Sequence, residues 1–456
     1  MDIPPIKQFQ RSSFSKKLNS IHWNVEGKVC DVVGNVIEAK IPQCPLGTIM
    51  EIEVSGSKDS ILGEVVGFKQ SKTLLLPYSD LSGISTGALI RNQGCHEFIH
   101  VGDFLLGKIV DPFLASFTGS TLQGQEKSDR VPINKEAPNP LLRNRISQPI
   151  SLGVRAIDGL LTFGEGQRIG LMAGSGVGKS VLMGMIARGS EADINVIGLI
   201  GERGREVREF IEKELGDDGI KKSIVVVVTS DQSPLMRIRG AKVVTAIAEY
   251  FSAKGKKVLL MMDSLTRVAQ AQREIGLSVG EPPTSKAYPP SVFSLLPRLL
   301  ERSGPQLKGQ GSISGFYTVL VDGDDFNDPL PDAIRSILDG HINLSRSLAN
   351  KGHFPAIEVT SSVSRVMNDI TPQQQQHLAI QIRELISTYE ENYDFIQMGG
   401  YQENVNPVLD KAIQMMPLIN AYLRQPMDYL STMEEAIHGL IKIRDTISEL
   451  DQKQTG

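Results

Sequence analysis

The sequence predicts an α/β fold in which a mainly parallel sheet lies between a small all-β domain and a helical domain. Three observations carry this. Arg168 to Met172, Ile194 to Ile200, Ile224 to Val228 and Val258 to Met262 are short β-favouring runs, and they alternate with helical patterns at Val181 to Arg188, Glu206 to Leu215 and Ala241 to Ala253. That order suits parallel strands with helices on both faces. Before it, from Ile21 to Arg91, short apolar runs are cut by glycine; after it, apolar residues recur at helical spacing.

In chain order, residues 1–20 form an N-terminal arm. Lys7, Arg11, Lys16 and Lys17 oppose one acid, Asp2, with Ile6, Phe9, Phe14 and Leu18 interspersed and with Pro4 and Pro5 delaying any helix. A flexible tail and a weak interfacial or partner-binding arm both fit this composition. The all-β unit takes 21–95, where Val29 to Val33, Val36 to Ile41, Ile49 to Val54, Leu62 to Phe68 and Thr73 to Pro77 are spaced as in a small barrel or sandwich. Its charges nearly balance and its aromatics are few (Trp23, Phe68, Tyr78), so it lacks the stacking platforms of a single-strand-binding barrel. The α/β unit takes 96–365 and includes a loop-rich stretch from Asp111 to Pro149 that contains five prolines, Pro112, Pro132, Pro138, Pro140 and Pro149. In the helical unit, 366–456, Thr371 and Pro372 suit an N-cap and first turn, and Leu378, Ile382, Leu385 and Tyr389 follow at helical spacing. Gln373 to Gln376 fall in that first turn and need no special function.

Hydrophobic residues at 40% and charged residues at 22% are those of an ordinary globular protein. The net charge of -4 offers no general attraction to nucleic acid or acidic membranes, so an anionic ligand must be held locally. Cys30, Cys44 and Cys95 are odd in number and lack metal-ligand spacing, which predicts buried or half-buried thiols in a reducing compartment. No apolar run has the length of a signal-peptide core or the roughly 18 residues of a membrane span, and a cytoplasmic location is expected.

The chemistry centres on Ala173-Gly174-Ser175-Gly176-Val177-Gly178-Lys179-Ser180. The segment falls between a predicted strand and a predicted helix, where a phosphate-binding loop must lie. Gly174, Gly176 and Gly178 let successive backbone N–H groups turn toward phosphate oxygens, and the helix N-terminus adds partial positive charge. Ser175, Val177 and Val181 complete the lining. Lys179 should reach the β and γ phosphates of ATP, and Ser180 should ligate Mg2+. A second carboxylate for the metal is supplied by Asp263, which ends the apolar run Val258 to Met262. Ser264 follows it, so the group that polarises water must come from elsewhere. Glu202, after the run Val196 to Ile200, emerges at the same sheet edge; by spacing alone Gly201 to Glu206 also fits a solvated charge run before a helix.

Four stretches together resemble the rotary ATP synthase catalytic-subunit (alpha/beta) family: the loop, "GERGRE", "LLMMDSLTR" and "GHFPAIEVTSSVSR". Within that family, the block from Met262 to Gly304, "MDSLTRVAQAQREIGLSVGEPPTSKAYPPSVFSLLPRLLERSG", is most similar to the ATPases of flagellar and virulence type III protein export. The resemblance runs from about residue 21 to the end of the chain. It implies a β-barrel, a RecA-like P-loop nucleotide domain and a helical C-terminal domain, with six copies in a ring and nucleotide at each interface. It also implies that Glu202 polarises water, that Arg203 sits near the γ phosphate, that Phe354 packs on adenine, and that Arg365 enters the neighbouring subunit's site as a charge-stabilising finger. Without it, Arg365 reads first as an ordinary surface ion pair, and Phe354 suits a core position as well as an adenine contact. Two departures stand out. Glu358 replaces an aspartate usual in the family, and Asp111-Pro112-Phe113-Leu114 stands where a glycine-rich turn is expected.

The function expected is an ATP-hydrolysing motor of type III export that releases chaperones from, or unfolds, export substrates. Its expected partners are chaperones, substrates, negative regulator or stalk proteins and the export gate, with peripheral association at the inner membrane and no nucleic acid. An RNA-translocating ring resembling transcription-termination factors is disfavoured by the acidic balance and the aromatic-poor barrel. A non-catalytic ring subunit is disfavoured because Lys179, Glu202 and Asp263 are all present.

Overall fold

A computed structural model of the chain describes residues 26–56, 59–92, 98–117, 119, 124–321 and 328–455. The N-terminal arm, Trp23 and Cys95 lie outside these residues. The chain forms two compact units, one of residues before 97 together with 278–280, the other of the remainder.

In the first unit β1 (Glu26–Val33), β2 (Val36–Lys40), β3 (Ile49–Glu53), β4 (Ser60–Lys69), β5 (Lys72–Pro77) and β6 (Leu89–Asn92) close into a barrel in the order β1-β2-β5-β4-β3-β6. Antiparallel pairing of β6 with both β3 and β1 makes the closure, which decides between barrel and sandwich. Alternation along the strands sends Val29, Ile37, Met50, Ile52, Leu75 and Ile90 inside. The same alternation turns Cys30, next to inward Val29, to solvent, correcting the expectation of three sheltered thiols; Cys44 is buried. The short β6, Leu-Ile-Arg-Asn, gave no apolar run to read.

In the second unit β7 (Phe98–Val101) pairs with β9 (Asp129–Pro132), a strand inside the stretch expected to be loop. Among the described residues the main sheet has nine strands. They are β8 (Ile109–Val110), β10 (Arg168–Ala173), β11 (Ile194–Glu202), β12 (Ser223–Thr229), β13 (Lys257–Asp263), β14 (Gly304–Pro305), β15 (Ser312–Leu320), β16 (Gly340–Leu344) and β17 (Ile357–Ser364). Their order is β17-β16-β10-β15-β13-β11-β12-β8, with β14 paired to β15; only β14 and β17 run antiparallel to their neighbours. β10, β11 and β13 are buried along almost their whole length, as strands covered on both faces must be. Their carboxyl ends meet at one sheet edge, the position where open α/β sheets bind ligands.

The Asp111 to Leu114 departure forms a tight turn. Asp111 Oδ1 accepts from the N–H groups of Phe113 and Ala115, both at 2.8 Å, and Leu114 takes the positive φ of 62° that glycine would ordinarily supply. At the other end, helices Gln373–Glu391, Pro407–Leu423 and Met433–Thr455 share one continuous core with the sheet, in which Leu171 and Leu182 join Ile382, Met415 and Ile443. Pro372, not Thr371, holds the N-cap position; the Thr371 hydroxyl instead donates to Met367 O at 2.7 Å. The glutamines do have a structural task. Gln375 Nε2 donates to Gly159 O at 2.9 Å and to Thr162 Oγ1 at 3.0 Å, fastening this helix to the flank of the main sheet. Among the described residues no helix is long and apolar enough to cross a membrane.

Candidate nucleotide site

β10 delivers the chain to Gly174, and helix Lys179–Gly189 begins five residues later with Gly178 as its N-cap. Gly176 and Gly178 hold φ of 77° and 90°, conformations that cost an L side chain strain, so the loop's N–H groups can face inward. Val177, 1% exposed, plugs the loop into the core while Ser175, Gly176 and Ser180 face solvent and Val181 is half-buried. The result is a cradle whose shape is set by the loop's own backbone.

Three predicted residues converge on it. Lys179 Nζ lies 2.6 Å from Asp263 Oδ1 and 3.5 Å from Glu202 Oε1, with the three side chains 13%, 5% and 11% exposed. Glu202 reaches this place through a register shift at the end of β11, where Gly201 takes φ 75° and where an added Cβ would fall 2.7 Å from Arg267 Cβ. Burial opposes the charge on Lys179, but Asp263 and Glu202 outweigh it and hold the ammonium above its ordinary range. Glu202 is pushed up to about 7, first by burial and then by Asp263, with Lys179 opposing. Its buried Oε1 has only the long approach from Lys179 and, among the described residues, no closer hydrogen-bond donor. A buried carboxylate with spare acceptor capacity beside a phosphate cradle suits a group that binds and polarises water.

Thr318 completes the cluster and was not legible in the sequence. Its hydroxyl donates to Asp263 Oδ1 at 2.6 Å from neighbouring β15, a strand whose Ser, Gly and Thr content conceals it. The Ser180 hydroxyl and the Asp263 carboxylate are hard oxygen donors. Among the described residues no cluster of three or more His, Cys, Asp or Glu could hold a metal unaided. That sparse donor set fits Mg2+, which keeps waters and shares phosphate oxygens, better than a metal needing a full protein cage.

The other candidates lie farther out. Phe354 is 46% exposed, and its ring carbons Cδ1 and Cε1 lie 3.6 Å from where a Cβ on Gly178 would stand, so an open aromatic face borders the loop. Its carbonyl accepts from Gln425 N at 3.0 Å, tying it to the C-terminal helices. Arg203 holds the N-cap position of helix Gly204–Glu209, and its exposed side chain pairs with Glu206 at 3.2 Å. Arg365 follows β17, whose pairing with β16 and thence β10 places it beside the amino end of β10. From Arg168 to Ala173 the strand rises about 17 Å, so Arg365 stands far from its own chain's phosphate loop. Glu358, the family departure, accepts from the Thr360 hydroxyl at 2.9 Å.

Comparison with known proteins agrees with this layout. Residues 29–94 match the ATP synthase alpha/beta family beta-barrel domain, 153–364 its nucleotide-binding domain, and 371–442 the T3SS EscN ATPase C-terminal domain. The chain is 50% identical to the flagellum-specific ATP synthase of Bacillus subtilis, over 91% of this chain and 94% of that protein. It is 47% identical to the type 3 secretion system ATPase of Xanthomonas euvesicatoria, over 92% and 94% respectively. The assembled ATPase EscN of the enteropathogenic E. coli type III secretion system superposes with a TM-score of 0.85 at 44% identity, covering 91% of this chain and 99% of that one. EscN in complex with its central stalk EscO superposes at 0.83, with the same identity and coverage.

Proposed function

Because the chain belongs to the ATP synthase alpha/beta family and, within it, to the ATPases of flagellar and type III protein export, we propose that it works as a homohexameric motor. In this motor ATP hydrolysis at the subunit interfaces drives chaperone release and unfolding of export substrates. The observation that carries the proposal is the buried trio of Lys179, Asp263 and Glu202 at the ends of adjoining parallel strands, with the Glu202 carboxyl poised near neutrality.

Each group has a task. The loop from Gly174 to Val181 binds the phosphates, and Phe354 packs on the adenine. With ATP present, Lys179 exchanges Asp263 and Glu202 for phosphate oxygens, which frees the Asp263 carboxylate. Asp263 and the Ser180 hydroxyl would then hold Mg2+, which neutralises phosphate charge when bound. Glu202, released from Lys179, accepts a proton from the attacking water; Arg203 is close enough in sequence to swing toward the γ phosphate. Arg365 serves the neighbour's site, which suits its exposure and its distance from its own loop. The assembled EscN and its stalk support a ring with a stalk partner, and chaperones, export substrates, a negative regulator and the export gate complete the proposed set, at the cytoplasmic side of the inner membrane.

The test is complementation between dead subunits. Rings of Lys179→Ala alone and of Arg365→Ala alone should both be inactive, the second while still binding ATP. Mixed rings should regain turnover, because some interfaces then pair an intact loop with an intact finger. Mixed rings that assemble and remain inactive would count against the shared site.

A further inference from the structure

We propose that Asp339 is a positioning residue for Arg365, and that it ties the arginine offered to a neighbouring subunit to the strand that ends in the chain's own phosphate loop. The inference rests on Arg365's acting in trans.

Asp339 lies between helix Pro329–Ile337 and β16, and every polar group it owns is committed. Its carboxylate takes three bonds from Arg168: from the backbone N–H to Oδ2 at 3.0 Å, from Nε to Oδ2 at 3.1 Å and from Nη2 to Oδ1 at 3.2 Å. Its own N–H donates back to Arg168 O at 2.8 Å. Its carbonyl accepts from the N–H of Arg365 at 3.0 Å and from Gln167 Nε2 at 3.1 Å. Gln167 Nε2 also reaches Ser364 Oγ at 3.1 Å, which in turn donates to Thr162 O at 2.9 Å. Next to it a Cβ on Gly340 would fall 2.3 Å from Val363 O, so β16 and β17 press together with no room for adjustment. The backbone of Arg365 is therefore set by Asp339, and Asp339 is set by Arg168.

By contrast, the Arg365 side chain is exposed, and its Nη2 donates to Arg335 O at 3.2 Å. A flexible side chain aimed across an interface is only as well placed as its Cα, and a two-pronged arginine–carboxylate grip fixes that point geometrically. Arg168 opens β10, and β10 ends in the phosphate loop. One rigid strand thus has the loop at one end and the arginine's anchor at the other, which gives the subunit's two half-sites a common support.

Asp339→Asn keeps the side chain's size but loses the charge that grips Arg168. In uniform rings turnover should fall about 10- to 100-fold, the effect of misplacing a group by about an ångström, while binding of fluorescent ADP and ring assembly stay within about twofold of wild type. Mixed with Lys179→Ala the variant should recover turnover, because its intact loop can meet an intact finger. Mixed with Arg365→Ala it should not, because both lesions lie on the finger side. A variant that is merely unstable would not sort in this way. The Arg365→Ala with Lys179→Ala mixture is run in parallel, and if that pair fails to recover, the trans reading itself fails. If that pair recovers while Asp339→Asn with Lys179→Ala stays inactive, or if Asp339→Asn recovers with Arg365→Ala, the positioning role is overturned. Loss of ADP binding or of assembly in the folded variant also overturns it. Should Asp339→Asn not fold, Arg168→Lys, which keeps the charge but not the two-pronged grip, decides by the same scheme.

Discussion

A carboxylate buried beside another carboxylate is costly unless it is paired or takes up a proton, and Glu202 has both burial and Asp263 against its charge, with only Lys179 opposing them. Glu202→Gln keeps the shape and removes the proposed base. ATP binding should survive and turnover should fall about 10²- to 10⁴-fold; equal turnover would remove Glu202 from the mechanism. The pH dependence has a definite sign. With the carboxyl pushed up to about 7, the basic form grows as pH rises through neutrality, so kcat/KM of the native protein should rise from about pH 6 to about pH 8. The folded protein also holds this proton more tightly than the unfolded chain, whose carboxyl titrates near 4.5, so the group's contribution to stability declines as pH rises from 4.5 through 7. In the nucleotide-free protein, thermal melts should therefore show Glu202→Gln gaining on wild type toward about pH 8, with the gap closing toward about pH 4.5. At this scale the loop, Asp263 and Glu202 were legible because each follows an apolar run in the chain. Thr318 was not, because its meaning comes from a neighbouring strand rather than from its own sequence neighbours.

Among elements, the junction of helix Gln373–Glu391 with the sheet's flank shows what periodicity misses. Its apolar stripe, Leu378, Ile382 and Leu385, was readable, but the stripe says only which face is buried. Gln375 fixes where that face docks. Gln375→Leu would leave the acceptors of Gly159 and Thr162 without this donor in a buried site, and urea unfolding should show a loss of about 1–3 kcal/mol. Gln374→Ala, at an exposed neighbouring position, should stay within about 0.5 kcal/mol. Equal effects would mean that the bonds from Gln375 carry no net stability. The same contrast explains which strands were visible. β10, β11, β12 and β13 are nearly unbroken apolar runs because both their faces are covered. β9, β15, β16 and β17 mix polar residues or glycine into their strands, and tertiary pairing rather than local pattern makes them strands.

For the whole molecule, the consequence of the proposed reading is a divided site. Lys179, Glu202 and Asp263 gather at the carboxyl ends of β10, β11 and β13, while Arg365 is held near the amino end of β10, about 17 Å away along the strand. An isolated subunit would have what it needs to bind nucleotide but would lack the last positive charge, which in other NTPases is worth about 10³- to 10⁵-fold in rate. Binding and turnover should therefore respond differently to dilution. Fluorescent ADP affinity per subunit should stay constant as the protein is diluted, whereas ATP turnover per subunit should fall over the same range in which sedimentation shows rings giving way to single subunits. A covalent link between subunits should shift the turnover curve to lower concentration and leave the affinity alone, since it raises only the effective concentration of the neighbour. Turnover that stays flat while the rings dissociate would show that one chain suffices, and Arg365 would then have to act through some contact other than a neighbour's phosphate.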